Sequence, residues 1–263
     1  MYKNLVTKEG DSLSSIWYEV FKELAQPRIE GLANLTISIQ VRPERPLEKR
    51  IIRDVLDQAL LDKDLFLTRT TSSTIFPPIW NPNKPRMLLY QRYLNVFPKL
   101  KKLSSWNYNG MYFERLINYC SKQNEGNYHV NQLEHIINTF KEGNHRQTAL
   151  QATIFDPSKD HTDQRRRGFP CLQHVIFSQD KKDHLAITGI YSKQFIFDRA
   201  YGNYLGLYNL GIFMAHEMGL SLSSVNCYAC HAELGSINKG EAIELLNRLD
   251  QGLNTTTISL EGE

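Results

Sequence analysis

The sequence predicts an α/β fold, and three observations carry that prediction. Amphipathic segments of helical period and segments alternating apolar with polar follow one another along the chain. LQHVIFS, QDKKD and HLAITGIYS (172–192) give a strand, a turn and a second strand. Residues 204–220, YLGLYNLGIFMAHEMGL, are apolar nearly all round, which marks a helix buried on most sides. With 41% hydrophobic residues in 263, there is enough apolar material for one large core, and no repeat or low-complexity linker marks a boundary. A single domain over 1–263 is therefore expected.

The elements follow in order. Asp11 or Ser12 caps a helix whose apolar face carries Leu13, Ile16, Trp17, Val20, Phe21 and Leu24, and Pro27 stops it. Leu35, Ile37, Ile39 and Val41 alternate with polar residues as a half-buried strand that ends before Pro43. A second amphipathic helix runs around Leu47 to Leu61. The stretch 67–85, rich in hydroxyls and prolines, is expected to be a loop. Residues 86–120 are expected to be largely helical, with Tyr90, Tyr93, Phe97, Trp106, Tyr108, Tyr112 and Phe113 as core material. Val130, Leu133, Ile136, Ile137 and Phe140 mark a helix closed by Gly143. HRQTALQATIF (145–155) is a strand, and the polar residues after it are a connector. Gly219 ends the buried helix. SVNCYACHAEL is a strand placing Val225, Cys227, Ala229 and His231 on one face. A last helix carries Ala242, Leu245, Leu246 and Leu249, and the tail LNTTTISLEGE is expected to fray.

Charge is nearly balanced, 31 basic against 28 acidic residues, which argues against a dedicated nucleic-acid binder and leaves small anions as ligands. No apolar run approaches a membrane span, and MYKNLVTKEGDSLSS lacks the apolar core of a signal peptide, so a cytoplasmic protein with reduced thiols is expected. Cys171 follows a proline and lies a few residues from Arg165, Arg166 and Arg167. Positive charge stabilises the thiolate, which makes Cys171 the best nucleophile in the chain; a buried structural cysteine is the alternative. The same arginines attract phosphate, as do Arg69 and the hydroxyls of Thr70, Thr71, Ser72 and Ser73. CYACH (227–231) has the spacing of a haem-attachment motif. It falls within an alternating strand of a chain with no export signal, and no second cysteine pair completes a zinc site, so core cysteines and no metal are expected. His231 is either a core histidine or a group that bonds a ligand carbonyl and moves protons.

The order of these features resembles the thymidylate synthase superfamily, which includes the pyrimidine nucleotide hydroxymethylases. GFPCLQHVIF is similar to the family's Pro-Cys strand start. IYSKQFIFDRAYGNYLGLYNLGIFMAHEMGL resembles its phosphate-binding strand, ligand-contacting turn and buried central helix, and VNCYACHAEL its Gly-Asp-x-His-x-Tyr strand. RTTSSTIF resembles the phosphate loop, and HRQTALQATIF the strand whose arginines reach the partner subunit. The resemblance spans 67–235 and leaves 1–66 as a divergent N-terminal part.

The resemblance implies a large mixed sheet, covered by helices and packed against the sheet of a second subunit in a homodimer. It implies Cys171 as nucleophile and His231 as its catalytic companion. Arg69 and Lys193 become phosphate ligands, beside Arg167 of the basic run, Arg146 is donated across the dimer, and Asn203, displaced by about one residue from the motif, reads the base. The substrate implied is a pyrimidine nucleotide monophosphate, substituted at C5 with 5,10-methylenetetrahydrofolate as one-carbon donor. Departures are explicit: Thr71 and Ser73 replace loop glycines, Ala229-Cys230 replaces Gly-Asp, and Glu233 replaces the sugar-binding tyrosine. Glu114 is the only carboxylate near the place of the family's catalytic glutamate, and the folate-closing tail has no match. The alternative expectation is a nucleotide-binding or interaction protein that keeps the fold and phosphate site without the chemistry.

Overall fold

The computed structural model describes residues 1–123, 126–143, 145–163, 170–181 and 183–260. Among them are nine α-helices, a seven-stranded mixed sheet in the order β1-β3-β9-β8-β7-β6 with β2 also paired to β3, and a two-stranded ribbon of β4 and β5. The chain divides into two units, the first of residues 1–72, 191–205 and 223–263, the second of residues 73–190 and 206–222.

The first unit is built around α1 (Leu13–Ala25). The Ser12 side chain accepts the Ser15 N–H at its start, and Leu13, Ile16, Trp17, Val20, Phe21 and Leu24 are buried on one stripe. Each such side chain contributes roughly 1.5–3 kcal/mol by leaving water. Trp17 stacks on Phe21 at 5.0 Å and meets Tyr201 edge-on at 5.8 Å. Against this stripe lie β2 (Thr7–Gly10) and β3 (Gly31–Gln40), while α2 (Arg50–Leu61) and α9 (Lys239–Leu260) pack on each other. The helix α9 continues through much of the tail expected to fray.

Strand β9 (Ser221–Glu233) pairs antiparallel with β3, placing Leu35 opposite Ala229, Ile37 opposite Cys227 and Ile39 opposite Val225, all buried. The alternation slips at Asn34, which takes the left-handed conformation (φ 55°) that asparagine tolerates, so that Leu32 and Leu35 are both buried, as are Ala229 and Ala232 opposite them. The first strand is broken on the same line. β1 (Tyr2–Asn4) and β2 pair parallel with β3 in one common register, interrupted by Leu5 at φ 54°. Asn4 Oδ1 accepts from the Leu5 N–H at 3.0 Å and from Asn34 Nδ2 at 2.8 Å, and Tyr228 donates to Asn34 Oδ1 at 2.5 Å.

Within residues 67–85, expected to be a loop, Thr68–Ile75 form the helix α3. Asp57 accepts both the N–H and the hydroxyl of Thr68, at 2.8 and 3.1 Å, and Thr68, Thr71 and Ser72 are buried. Tertiary packing and a carboxylate cap thus override the weak helix propensity of a hydroxyl-rich run.

The second unit holds α4 (Arg86–Leu103), α5 (Tyr112–Ile117), α6 (Gln132–Glu142) and the short α7 (Pro157–Asp160). Its strands are β4 (Tyr119–Gln123), β5 (Gly126–Val130), β6 (Gln151–Thr153), β7 (Leu172–Lys181) and the start of β8 (His184–Phe195). Most of α8 (Tyr201–Met218) also belongs to it. Phe113 meets Tyr93 at 4.8 Å and Phe76 at 5.5 Å, and Phe76 packs on Phe213 at 5.2 Å. The helix expected over 130–140 is α6, capped by Asn131 and closed by Gly143 at φ 78°. The strand expected over 145–155 is shorter, because residues 147–149 form a 3₁₀ turn before β6. The polar connector after it contains α7, capped by Asp156.

The Arg115 guanidinium, 6% exposed, bonds both Asp160 carboxylate oxygens and the carbonyls of Ile154 (2.7 Å) and Asn109 (3.1 Å). Asp160 also accepts the Asp156 N–H at 2.8 Å.

Candidate functional site

In the first unit Arg199 and its neighbours are organised by a π-helical turn, Ile196–Ala200, that runs directly into α8. A π turn leaves backbone groups that an α-helix would pair, and here they find partners. Trp17 Nε1 donates to the Ile196 carbonyl at 2.8 Å, and the Phe197 N–H donates to the Leu234 carbonyl at 2.9 Å. Asp198 accepts the N–H and hydroxyl of Ser236 at 2.9 and 2.7 Å. Tyr201, next in the chain, donates to Glu48 at 2.9 Å and shares a hydrogen bond with Ser14 at 2.8 Å.

The turn presents Arg199 to α3. Its guanidinium lies 5.1 Å over the Phe66 ring, and Nη1 donates to Thr71 Oγ1 at 3.5 Å. Arg69 lies on the exposed side of the same helix, two positions from Thr71. Close approach of the two elements depends on Gly202, where a Cβ would stand 2.6 Å from the Thr68 carbonyl oxygen and 2.6 Å from Thr71 Cβ. Asn203 follows at 4% exposure. Arg199 is the residue that sequence reasoning passed over; its signal is a lone cation in DRAYGN, immediately before an apolar helix.

Lys193 and Glu233 are brought together at 2.9 Å, and Tyr2 donates to Glu233 at 2.7 Å. Burial works to raise the Glu233 carboxyl, but the Lys193 ammonium and the Tyr2 hydroxyl outweigh it and hold the group below the usual carboxylate range. A ligand that takes Lys193 must compete with this pair. His231 does not share the buried face of Cys227, as strict alternation predicts. The slip at Asn34 turns the strand, and His231 is exposed with its ring edge-on to Tyr2 at 6.2 Å. Cys227 is buried, its thiol pushed up to about 12 by burial, and Gln194 Nε2 donates to its sulfur at 3.6 Å. Cys230 is half-buried on the other side of the strand. Among the described residues no three His, Cys, Asp or Glu side chains are grouped to hold a metal ion.

In the second unit Cys171 is half-buried, one residue before β7. Gln173 Nε2 donates to the carbonyls of Pro170 at 2.7 Å and Cys171 at 3.3 Å, fixing the strand entry. Arg146 is exposed at the start of the 3₁₀ turn, and the His145 ring packs 5.6 Å from that of Phe140. Arg167 lies outside the described residues. Glu114, on α5, is half-buried; burial raises its carboxyl against the pull of Arg115, Lys159 and Lys101.

These features define a mixed α/β protein whose first unit sets Arg199 of a π turn against a hydroxyl of a buried-faced helix. No protein-family model matches the chain, and no curated protein matches it either. Among the described residues no helix is long and apolar enough to cross a membrane.

Proposed function

We propose that the protein binds a pyrimidine nucleotide monophosphate and substitutes its C5, in the manner of the thymidylate synthase superfamily that its motif order resembles. The observation that carries this reading is Arg199 beside Thr71: it adds a second guanidinium to the Arg69 helix, where the motif order calls for a phosphate. A guanidinium fork and adjacent hydroxyls suit a phosphate dianion, and the Phe66 ring beneath Arg199 limits the conformational freedom lost on binding.

In this reading the Cys171 thiolate adds to C6 of the base, and the electron pair moves to make C5 a carbon nucleophile. C5 would then bond to the one-carbon unit and give up its proton, the unit's bond to the folate nitrogen would break with tetrahydrofolate as leaving group, hydride or water would add to the freed carbon, and Cys171 would depart from C6 with its bonding pair. A methylenetetrahydrofolate donor supplies the one-carbon unit, with hydride for methylation or water for hydroxymethylation. Asn203 reads the base edge, His231 manages protons at it, and Lys193 serves the phosphate once released from Glu233. Arg146 and Arg167 complete the anion site, Arg146 from the second subunit of a homodimer.

The test is tritium release from C5-labelled dUMP, dCMP, UMP and CMP, with and without the folate donor, by the native protein, Cys171→Ala and Arg199→Ala. Release from one nucleotide that vanishes in Cys171→Ala and demands more nucleotide in Arg199→Ala is the expected result. Nucleotide binding without release from any of the four would instead establish the binding-protein alternative.

A further inference from the structure

The second unit contains a cavity of about 200 Å³ that the proposed reaction does not use. Its walls come from the end of α4 (Phe97, Lys101), the loop before α5 (Asn109, Gly110), α5 and its cap (Glu114, Asn118), and Tyr119, Cys120 and Lys159. Gly110 has φ 114°, a conformation that a side chain would strain, so the loop turns there without filling the space. An apolar cavity of about 150 Å³ is known to take one benzene ring, so this volume suits a ligand of about that size with one polar substituent.

The charges decide the substituent. Arg115, which also borders the cavity, is committed to Asp160, and Lys159 to Asp156 at 2.8 Å and the Cys120 carbonyl at 2.6 Å. Lys101 makes no ion pair among the described residues; its ammonium rests 5.6 Å from the Tyr108 ring centre. Among the described residues Lys101 is thus the cavity-lining cation that no carboxylate holds in an ion pair, although it, Arg115 and Lys159 all act on Glu114. A cationic ligand meets three like charges. A phosphate dianion finds one available ammonium and a facing carboxyl. A monoanion with a flat apolar body instead satisfies Lys101, finds the Asn109 and Asn118 amides along the wall, and lays its ring on Phe97.

We infer that this cavity binds a small single-ring organic carboxylate, held by Lys101 and packed on Phe97. The site stands whether or not the nucleotide reading does, because it shares no residue with it. Benzoate is the probe and benzamide, equal in shape and uncharged, the control, each titrated calorimetrically into the native full chain and into Lys101→Met. Cys120 marks the location: its alkylation by iodoacetamide, read by peptide mass spectrometry, is followed with and without probe. Expected are saturable benzoate binding, at least tenfold weaker binding of benzamide, a similar loss in Lys101→Met, and slower alkylation of Cys120 under benzoate. Lys101 is exposed, so its replacement leaves the fold intact. Absence of benzoate binding, equal binding of benzamide, undiminished binding by Lys101→Met, or unchanged Cys120 alkylation at saturating benzoate would each overturn the inference.

Discussion

Replacing Arg115 with methionine removes the guanidinium while keeping most of the side-chain volume, and the structure sets the expected cost. The Asp160 side chain is 0% exposed and would lose both of its bonds to Arg115, while the carbonyls of Ile154 and Asn109 would lose a donor. Breaking a buried ion pair by removing one partner costs about 3–5 kcal/mol, chiefly because the other charge stays buried and uncompensated. For a chain of this length that corresponds to a fall in melting temperature on the order of 10 °C. Urea unfolding followed by circular dichroism measures the change directly. Asp160→Leu and the double variant complete a cycle. The double variant removes the orphaned charge and should cost about 2 kcal/mol less than the two single changes summed, although the Asp156 N–H then loses its acceptor. A loss under about 1 kcal/mol in Arg115→Met, or strict additivity in the cycle, would refute the reasoning.

Gly202→Ala places a methyl group on the Thr68 carbonyl and Thr71, so it should destabilise the first unit by about 1–3 kcal/mol and weaken the proposed nucleotide binding more than Gly240→Ala, where a Cβ would stand 3.3 Å from the Asn238 side-chain oxygen; thermal melts and equilibrium dialysis check both. Glu114→Gln probes a carboxyl that burial raises and that faces Tyr93 and Lys101 of α4, Arg115 of its own helix and Lys159 of α7. A raised carboxyl contributes stability below its unfolded pKa and loses it as pH rises through its folded value, so Glu114→Gln should gain stability relative to the native protein as pH rises above the ordinary carboxylate range; a pH-independent difference in urea midpoints would contradict this.

Segments whose structure is set locally were legible in the sequence. The Ser12 cap and apolar stripe specify α1, and Asn131 with Gly143 bracket α6, because the residues that start, fill and stop those helices are neighbours in the chain. Helix α3 was not legible, since its cap comes from Asp57 in another element and its buried face is made of threonine and serine. The same division holds for the candidate site. Cys171 at a strand entry follows from Pro170 and the alternation after it. The exposure of His231 does not, because the face it takes is set by a left-handed asparagine in the neighbouring strand. Arg199 was hidden because LTRTTSS and DRAYGN lie far apart in sequence, and only the close approach at Gly202 makes them neighbours.

The π turn also bears on how this chain tolerates changes in length. An i→i+5 ring encloses one residue more than an i→i+4 ring, so the segment 196–200 stores an extra residue between strand and helix. Deleting it ahead of Arg199 would leave the helix that follows, and Arg199 with it, against Thr71, while turning the residues on the strand side by about 100° around the axis. The spacing from Lys193 to Arg199 can therefore drift without disturbing the core, whereas the spacing from Arg199 to Asn203 is fixed by helical geometry. Residues on the strand side of the turn can thus shift by one position relative to those on the helix side.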